Sequence, residues 1–376
     1  MVKTGIVAVL DKPNGKFELK EYPLPDPAPG TILVKQELTG ICGTDIHMYH
    51  GSLPGITYPI CLGHEIVGKI AALGKGVTTD FYGQQVKEGD RVIIAPGAGC
   101  GKCYWCLIAK TPTCCEQGFA YGFFSDGDIN YHFTGGYAEY LYCHHPNTAF
   151  FKTELPPEIA VLLEPITVGY RSVDRSNMKL GDTVVVQGSG GVGLGTQLCA
   201  KLAGAGKIIH VGGPTDFRIE MAKDFGADII INIAEVKSRE ERIQIVKDNT
   251  VRGMGADVVF ECTGVPAAVS EGLEMLRISG TFVETGHFTD VGTVPINPFL
   301  HLCNKNVNLQ GMWGDEVEQF YRFLPVLEKR QFPYERLITH KYPLSKLNEI
   351  MKAPEEGYML DGKESLKIVV LGELLG

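Results

Sequence analysis

The sequence predicts an α/β protein of two domains, one β-rich and one a doubly wound parallel sheet. Three observations lead there. The chain has 376 residues, more than a single hydrophobic core usually serves. From about Ser176 to about Gly286, strand-like apolar runs alternate with helix-like runs, the order that builds a parallel sheet covered on both faces. The stretch before this block is dense in glycine and proline and carries only short strand patterns, which reads as antiparallel β with long loops.

Taken in order, "TILVKQEL", "HEIVGKIAAL", "DRVIIA" and "GGYAEYLYC" are the strand candidates of the β-rich part. "DTVVVQG" (Asp182 to Gly188) opens the alternating block with β-branched residues. The next run, "LGTQLCAKLAGAG", spaces Leu194, Leu198 and Leu202 four apart and ends on Gly204 and Gly206, a helix with its stop signal. Strand "KIIHV" precedes helix "DFRIEMAKDFG", which puts Phe217, Met221 and Phe225 on one face. Strand "DIIIN", helix "SREERIQIVKDNT", strand "DVVFECTG", helix "PAAVSEGLEMLR" and strand "GTFVETG" complete the series. From about Lys305 the character is mixed again, and no internal repeat or low-complexity tract interrupts the chain.

Composition excludes several classes of function. The net charge of −9 argues against a nucleic-acid surface, because phosphates are held mainly by Lys and Arg, and against an anionic membrane. No apolar run approaches the roughly 20 residues that span a bilayer. The start, "MVKTGIVAVLDKPNGK", has no long apolar core and no small-residue cleavage site, so it does not read as a secretory signal. A cytoplasmic location is therefore expected. There the eleven cysteines would be reduced, and a tight cysteine cluster points to metal or catalysis rather than disulfides.

Gly188, Gly190 and Gly193 form G-x-G-x-x-G between a strand and a helix, the context a dinucleotide site requires. The first glycine allows the tight turn, the second lets the backbone approach a pyrophosphate, and the third permits close helix–strand packing. With Gly191 and Val192 of the same turn, Gly213, Arg218, Thr263 and Gly286 are the candidate cofactor contacts. One element is missing. "HVGGPTDFR" carries glycines where an acid would hold the adenosine ribose of NAD. Thr215 and Arg218 would meet a 2′-phosphate, or Asp216 would replace the acid; Arg218 has two further readings, stacking on adenine or a solvated helix charge. NAD is expected, with NADP the alternative.

Two constellations carry metal-ligand chemistry. Cys100, Cys103, Cys106 and Cys114 have the C-x2-C-x2-C-x7-C spacing of a closed, structural zinc site, with the adjacent Cys115 read as a spare thiol. Such a site leaves no open position and would stiffen its loop. The second set is scattered: Cys42, Asp45 and His47 in "GICGTDIHMYHG", His64 and Glu65 in "CLGHEIVG", and Glu164 in "LLEPITVG". A catalytic zinc takes three protein ligands and an open position, which Cys42, His64 and one carboxylate would supply. Each residue also has a bland reading, a packed histidine or a small buried thiol.

"GICGTDIH", "GHEIVG", "GDRV", the four-cysteine loop, "GGYAEY", "LLEPITVG", "VVVQGSGGVGLG" and "FGAD" follow one another along nearly the whole chain. In this the sequence resembles the zinc-dependent medium-chain alcohol dehydrogenase family. The resemblance implies a GroES-like β-rich catalytic domain, 1–166 and 308–376, with two zinc sites. It also implies an inserted Rossmann domain, 167–307, with the active site in the cleft. Cys42 and His64 then look like ligands of the catalytic zinc. Glu65 matches the family glutamate that can enter the metal shell, and Glu164 replaces a cysteine of the ethanol-type members and binds directly or through water. Asp45 looks like the group orienting His64. Thr44 and His47 match a proton relay, so Thr44, His47 and Glu65 are the candidate catalytic residues.

The branch with this glutamate acts on polyols, amino-alcohols and secondary or cyclic alcohols. The implied function is hydride transfer between such an alcohol and NAD(P)+, giving the ketone, with two zinc ions per chain. A homodimer or homotetramer is expected, with neither nucleic acid nor membrane as partner. The alternatives are a non-catalytic zinc- and dinucleotide-binding scaffold and a primary-alcohol or aldehyde reductase. Phe119, Tyr121, Phe124, Tyr131, His132, Phe133 and Trp313 are candidate pocket residues, with core or surface readings equally open.

Overall fold

The computed structural model describes residues 3–123 and 132–373. The chain forms two compact units. The first comprises Met1–Glu164, Asp315–Arg330 and Leu337–Gly376, and the second Pro165–Gly314 and Gln331–Arg336.

The first unit is built on a seven-stranded sheet. Its path runs Ile338–Pro343, Lys367–Leu371, Ile32–Gly40, Glu65–Leu73, Arg91–Ile94, Phe150–Lys152, and Tyr140–Cys143 also pairs with Ile32–Gly40. All pairs but the first are antiparallel. Alternation sends Ile32, Val34, Ile66, Ile70, Val92, Ile94 and Leu141 into one core, as a half-buried sheet requires. The last strand closes the sheet beside one of the first, pairing Val369 with Gly40, while Gly40 also pairs with Glu65. A Cβ at position 40 would lie 1.7 Å from Glu65 Oε2, so only glycine lets the two strands meet with that carboxylate between them.

The second unit is an all-parallel six-stranded sheet in the order Ile229–Asn232, Lys207–Gly212, Thr183–Gln187, Ala256–Glu261, Leu276–Glu284, Asn308–Gly311. Thr183–Gln187 is buried along its whole length, as a central strand covered on both faces must be. Val185, Ile209, Ile231, Val259 and Phe282 of successive strands share a core with Ile243, Val246 and Leu273 of the covering helices. This is the doubly wound arrangement with its strand order reversing beside the first strand.

The unit limits differ from those expected of the sequence. The first segment ends at Glu164 rather than 166, and the second unit continues to Gly314 because Asn308–Gly311 adds a sixth parallel strand. That strand is short, polar and largely exposed, so it carries no apolar pattern. Gln331–Arg336 also packs with the second unit, where Phe332 and Tyr334 lie against Phe225. Among the described residues, no helix is long and apolar enough to cross a membrane.

Candidate active site

Cys42 directly precedes the helix Gly43–Tyr49, and its backbone N–H donates to Asp45 Oδ2 at 2.9 Å. Asp45 is fully buried, and its other oxygen accepts from Gly63 N at 3.2 Å. Gly63 immediately precedes His64, so one carboxylate fixes both loops that carry candidate ligands. His64 Nδ1 lies 3.4 Å from Asp45 Oδ1, close enough for strong attraction though not aligned as a hydrogen bond. Burial alone would raise the Asp45 carboxyl, but the His64 charge and the bonds from the loops outweigh it and hold it low. The opposite ring nitrogen, Nε2, points toward Glu164, whose Oε1 is 3.9 Å away.

One ligand atom each from Cys42, His64 and Glu65 lies within 4.8 Å of the others. Both oxygens of Glu65 accept from the buried Lys367 Nζ, at 2.5 and 2.8 Å. Glu164 is buried as well. Its carboxyl is pushed well above the usual range, first by burial and then by Asp315, Glu65 and Cys42 nearby, with His64 opposing. A thiol, an imidazole and carboxylates gathered in low dielectric with so little counter-charge form a donor set suited to zinc. The residues present therefore fit the metal.

Thr44 and His47 both stand on the helix Gly43–Tyr49. Thr44 Oγ1 is 3.6 Å from Cys42 Sγ, while His47 is half-buried and held below its ordinary range by burial and by His50. Among the described residues no hydrogen bond joins Thr44 to His47. Sequence reasoning missed Lys367, which is separated from Glu65 by 302 positions. It also missed Asp315 and Phe123, whose ring packs 4.8 Å from that of His64. None of these carries a local motif.

The cysteine loop requires a correction. The structure gathers Cys100, Cys103, Cys106 and Cys115, with ligand atoms within 4.8 Å of one another, and leaves Cys114 exposed. A 3-10 turn at Pro112–Cys114 advances the chain so that Cys115 Sγ comes 3.7 Å from Cys103 Sγ and accepts from Cys100 N at 3.3 Å. Backbone N–H groups of Lys102 and Cys103 hold the Cys100 thiol down at about 6. Four converging thiols with one favoured as thiolate fit a structural zinc.

In the second unit the glycine turn fits a dinucleotide. Gly188 has φ 118°, and a Cβ on Gly193 would stand 2.0 Å from Gly188 O. Gly190, in contrast, faces open space, and the helix Gly191–Leu202 that follows has no side-chain cap on its N–H groups. Uncapped donors beneath an open approach form an anion cradle. Gly212, at the expected acid position, has no room for a side chain: a Cβ would lie 2.1 Å from Ser189 Oγ. Gly213 N donates to that same oxygen, Arg218 Nη1 donates to Ser189 O at 2.8 Å, and Thr215 caps the helix Asp216–Asp224. Thr263 and Gly286 follow the fourth and fifth strands, at the same edge of the sheet.

Of the candidate pocket residues, Tyr121 and Phe133 are core side chains, and Phe119 packs on His144. His132 stacks on Tyr22, and Trp313 on Phe288. Phe124 and Tyr131 lie outside the described residues.

The alcohol dehydrogenase GroES-like domain model matches residues 28–153, and the zinc-binding dehydrogenase model matches 191–329. The chain is 33% identical to 5-exo-hydroxycamphor dehydrogenase of Pseudomonas putida, over 94% of this chain and 96% of that one. The chain belongs to the zinc-dependent medium-chain alcohol dehydrogenase family. It is also 29% identical to sorbitol dehydrogenase of Halalkalibacterium halodurans, over 95% and 96% of the two chains. An alcohol dehydrogenase from Thermotoga maritima superposes with a TM-score of 0.90 at 30% identity, covering 98% of this chain and 99% of that one. Family membership makes the chain an oxidoreductase of alcohols that works with zinc and NAD(P).

Proposed function

We propose that this protein oxidises a secondary alcohol, cyclic or polyol, to the ketone with NAD(P)+, reversibly. One hydride goes to the cofactor and one proton to solvent. The observation that carries the reading is the convergence of Cys42, His64 and Glu65, with Glu164 facing the second ring nitrogen of His64. The names of the hydroxycamphor and sorbitol dehydrogenase relatives support a secondary alcohol as substrate.

A zinc ion held there supplies Lewis acidity to an alcohol oxygen, and a nicotinamide supplies the two-electron acceptor. The chain does the rest. Cys42 and His64 are the primary ligands in this reading. Glu65, whose oxygens both accept from Lys367 Nζ, or Glu164, facing His64 Nε2, would supply the carboxylate ligand. Asp45 fixes the His64 ring. Thr44, beside Cys42, takes the substrate proton, and His47 on the same helix passes it to water. A hydroxyl or water bridges the two in this reading, since among the described residues they share no direct hydrogen bond. A second zinc on Cys100, Cys103, Cys106 and Cys115 stiffens its loop. The turn Gly188–Gly193 and the loops at Gly213, Arg218, Thr263 and Gly286 hold the dinucleotide. NAD is the preferred form in this reading and NADP the alternative, with Arg218 Nη1 donating to Ser189 O beside the glycine turn. A cytoplasmic setting, where cysteines stay reduced, belongs to the same reading. A homodimer or homotetramer completes the reading, and sedimentation of the native chain tests it.

The deciding experiment assays the zinc-loaded protein on cyclic secondary alcohols, polyols and amino-alcohols with NAD and with NADP. Turnover on at least one secondary alcohol, lost by about 10³-fold or more in Cys42→Ser, is expected. Undiminished turnover in that variant, or in metal-stripped protein, contradicts the scheme.

A further inference from the structure

Outside the metal set, the described residues gather a further group of titratable side chains. Glu261 and Glu284 end adjacent parallel strands and stand directly opposite each other in register. His287 follows in the next loop, and one ligand atom of each residue lies within 4.8 Å of the others. Glu261 is fully buried.

The hydrogen bonds show what the group holds together. Glu261 Oε1 accepts from Thr263 N at 2.7 Å and from the Thr263 hydroxyl, and Oε2 accepts from Gly264 N at 3.3 Å. Glu284 Oε1 accepts from Gly286 N at 3.1 Å, His287 N at 3.2 Å and His287 Nδ1 at 2.9 Å. His287 Nδ1 also lies 3.5 Å from Glu261 Oε2. Each carboxylate thus organises one loop, and His287 spans the pair. The loops are closely packed, for a Cβ on Gly286 would fall 2.3 Å from both Glu261 Oε2 and Gly264 N.

One atom lacks a partner among the described residues. Glu284 Oε2 is buried there with no hydrogen-bond donor, although it belongs to a carboxylate set against another carboxylate. Two like charges this close in low dielectric are costly, and an orphaned buried acceptor adds to the cost. A single proton on Glu261 relieves both. Burial first, and Glu284 with it, push Glu261 up to about 7. The backbone and ring donors already engaged on both residues favour a proton over a metal cation between them.

We propose that Glu261, Glu284 and His287 form a proton-sharing brace that sets the spacing of the Cys262–Gly264 and Thr285–His287 loops, and through them the affinity for the dinucleotide. The proposal rests on the reading that Thr263 and Gly286 contact the cofactor. These three are positioning residues, acting through the loops. Among the described residues, the titratable groups facing Glu261 are Glu284 from the neighbouring strand, His287 beyond it and the Cys262 thiol beside it, which burial keeps protonated. Above neutral pH the brace loses its proton, the carboxylates repel and the loops separate.

The test is a titration of the intact zinc-loaded protein with NADH and NADPH between about pH 6 and about pH 8.5, for wild type and Glu261→Gln. Glutamine offers Glu284 an N–H in place of the shared proton and does not titrate. The ratio of wild-type to variant Kd cancels every titration the two proteins share. It is expected to rise about threefold to tenfold across this range, tenfold being one pKa unit of coupling. A constant ratio overturns the proposal. Infrared difference spectra supply a readout that needs no ligand. A protonated carboxyl band that fades as pH passes about 7 in wild type, and is missing in both Glu261→Gln and Glu284→Gln, supports the brace; its absence from wild type overturns it. Wild type that binds neither dinucleotide at any pH would instead overturn the functional reading, while the infrared band still reports on the shared proton.

Discussion

Position 212 shows how a single residue decides what its neighbours can be. A Cβ there would collide with Ser189 Oγ and sit 2.6 Å from His210 Nε2. The space an acid would need is taken by a buried chain in which His210 Nε2 bonds Ser189 Oγ and Nδ1 bonds Gln197 Oε1, both at 2.8 Å. Ser189 is thereby fixed to hold Gly213 and the turn in place. Burial drives His210 down to about 4, so the ring stays neutral in the folded protein where an unfolded histidine near 6.5 would be charged. The unfolded chain therefore binds more protons across this window, and stability rises with pH. The contribution is complete above about 6.5 and is lost as pH falls toward 4, about 3 kcal/mol in all. Urea midpoints measured from pH 7.5 to pH 5 should fall for wild type and fall less steeply for His210→Gln. Parallel curves would show that His210 does not carry the effect.

At the scale of the element, the 3-10 turn Pro112–Cys114 decides which thiol completes the cysteine site. The C-x2-C-x2-C spacing was legible because three cysteines fall within one short segment. For the fourth, the structure gathers Cys115 where spacing had pointed to Cys114, because spacing counts positions and not the advance made by a turn. Cys115→Ser should lower bound zinc from two per chain to one and lower the thermal midpoint by several degrees, whereas Cys114→Ser should do neither. Metal analysis beside a melting curve decides it, and the reverse result would restore Cys114. The same contrast runs through the fold. Strands such as Thr183–Gln187 and the helix Gly191–Leu202 were evident because burial on a fixed period leaves an apolar pattern. Asn308–Gly311 leaves none, because it is polar and largely exposed and joins the sheet by backbone pairing with Leu276–Glu284.

In the molecule as a whole, the candidate ligand sets are segregated. Cys42, His64, Glu65 and Glu164 all belong to the first unit, and Gly188 to Gly193 all belong to the second. Part of each set was open to sequence reasoning because its residues lie in short motifs. Lys367 was not, because it reaches Glu65 only when the last strand returns to the sheet begun by Ile32–Gly40. Segregation has a consequence that can be measured, since changes with no shared partner usually act independently. Cys42→Ser should lose the catalytic zinc and turnover, yet bind NADH within about threefold of wild type. Gly190→Val places a branched side chain in the open space above the uncapped helix N-terminus, where a phosphate would approach. It should weaken NADH binding by about 100-fold or more, the loss of about 3 kcal/mol of anion contacts, and keep two zinc ions per chain. Zinc content and NADH fluorescence on both variants form a reciprocal pair. If Gly190→Val loses zinc, or Cys42→Ser loses the dinucleotide, the two sets do not form independently, and each unit cannot be said to carry its ligand alone.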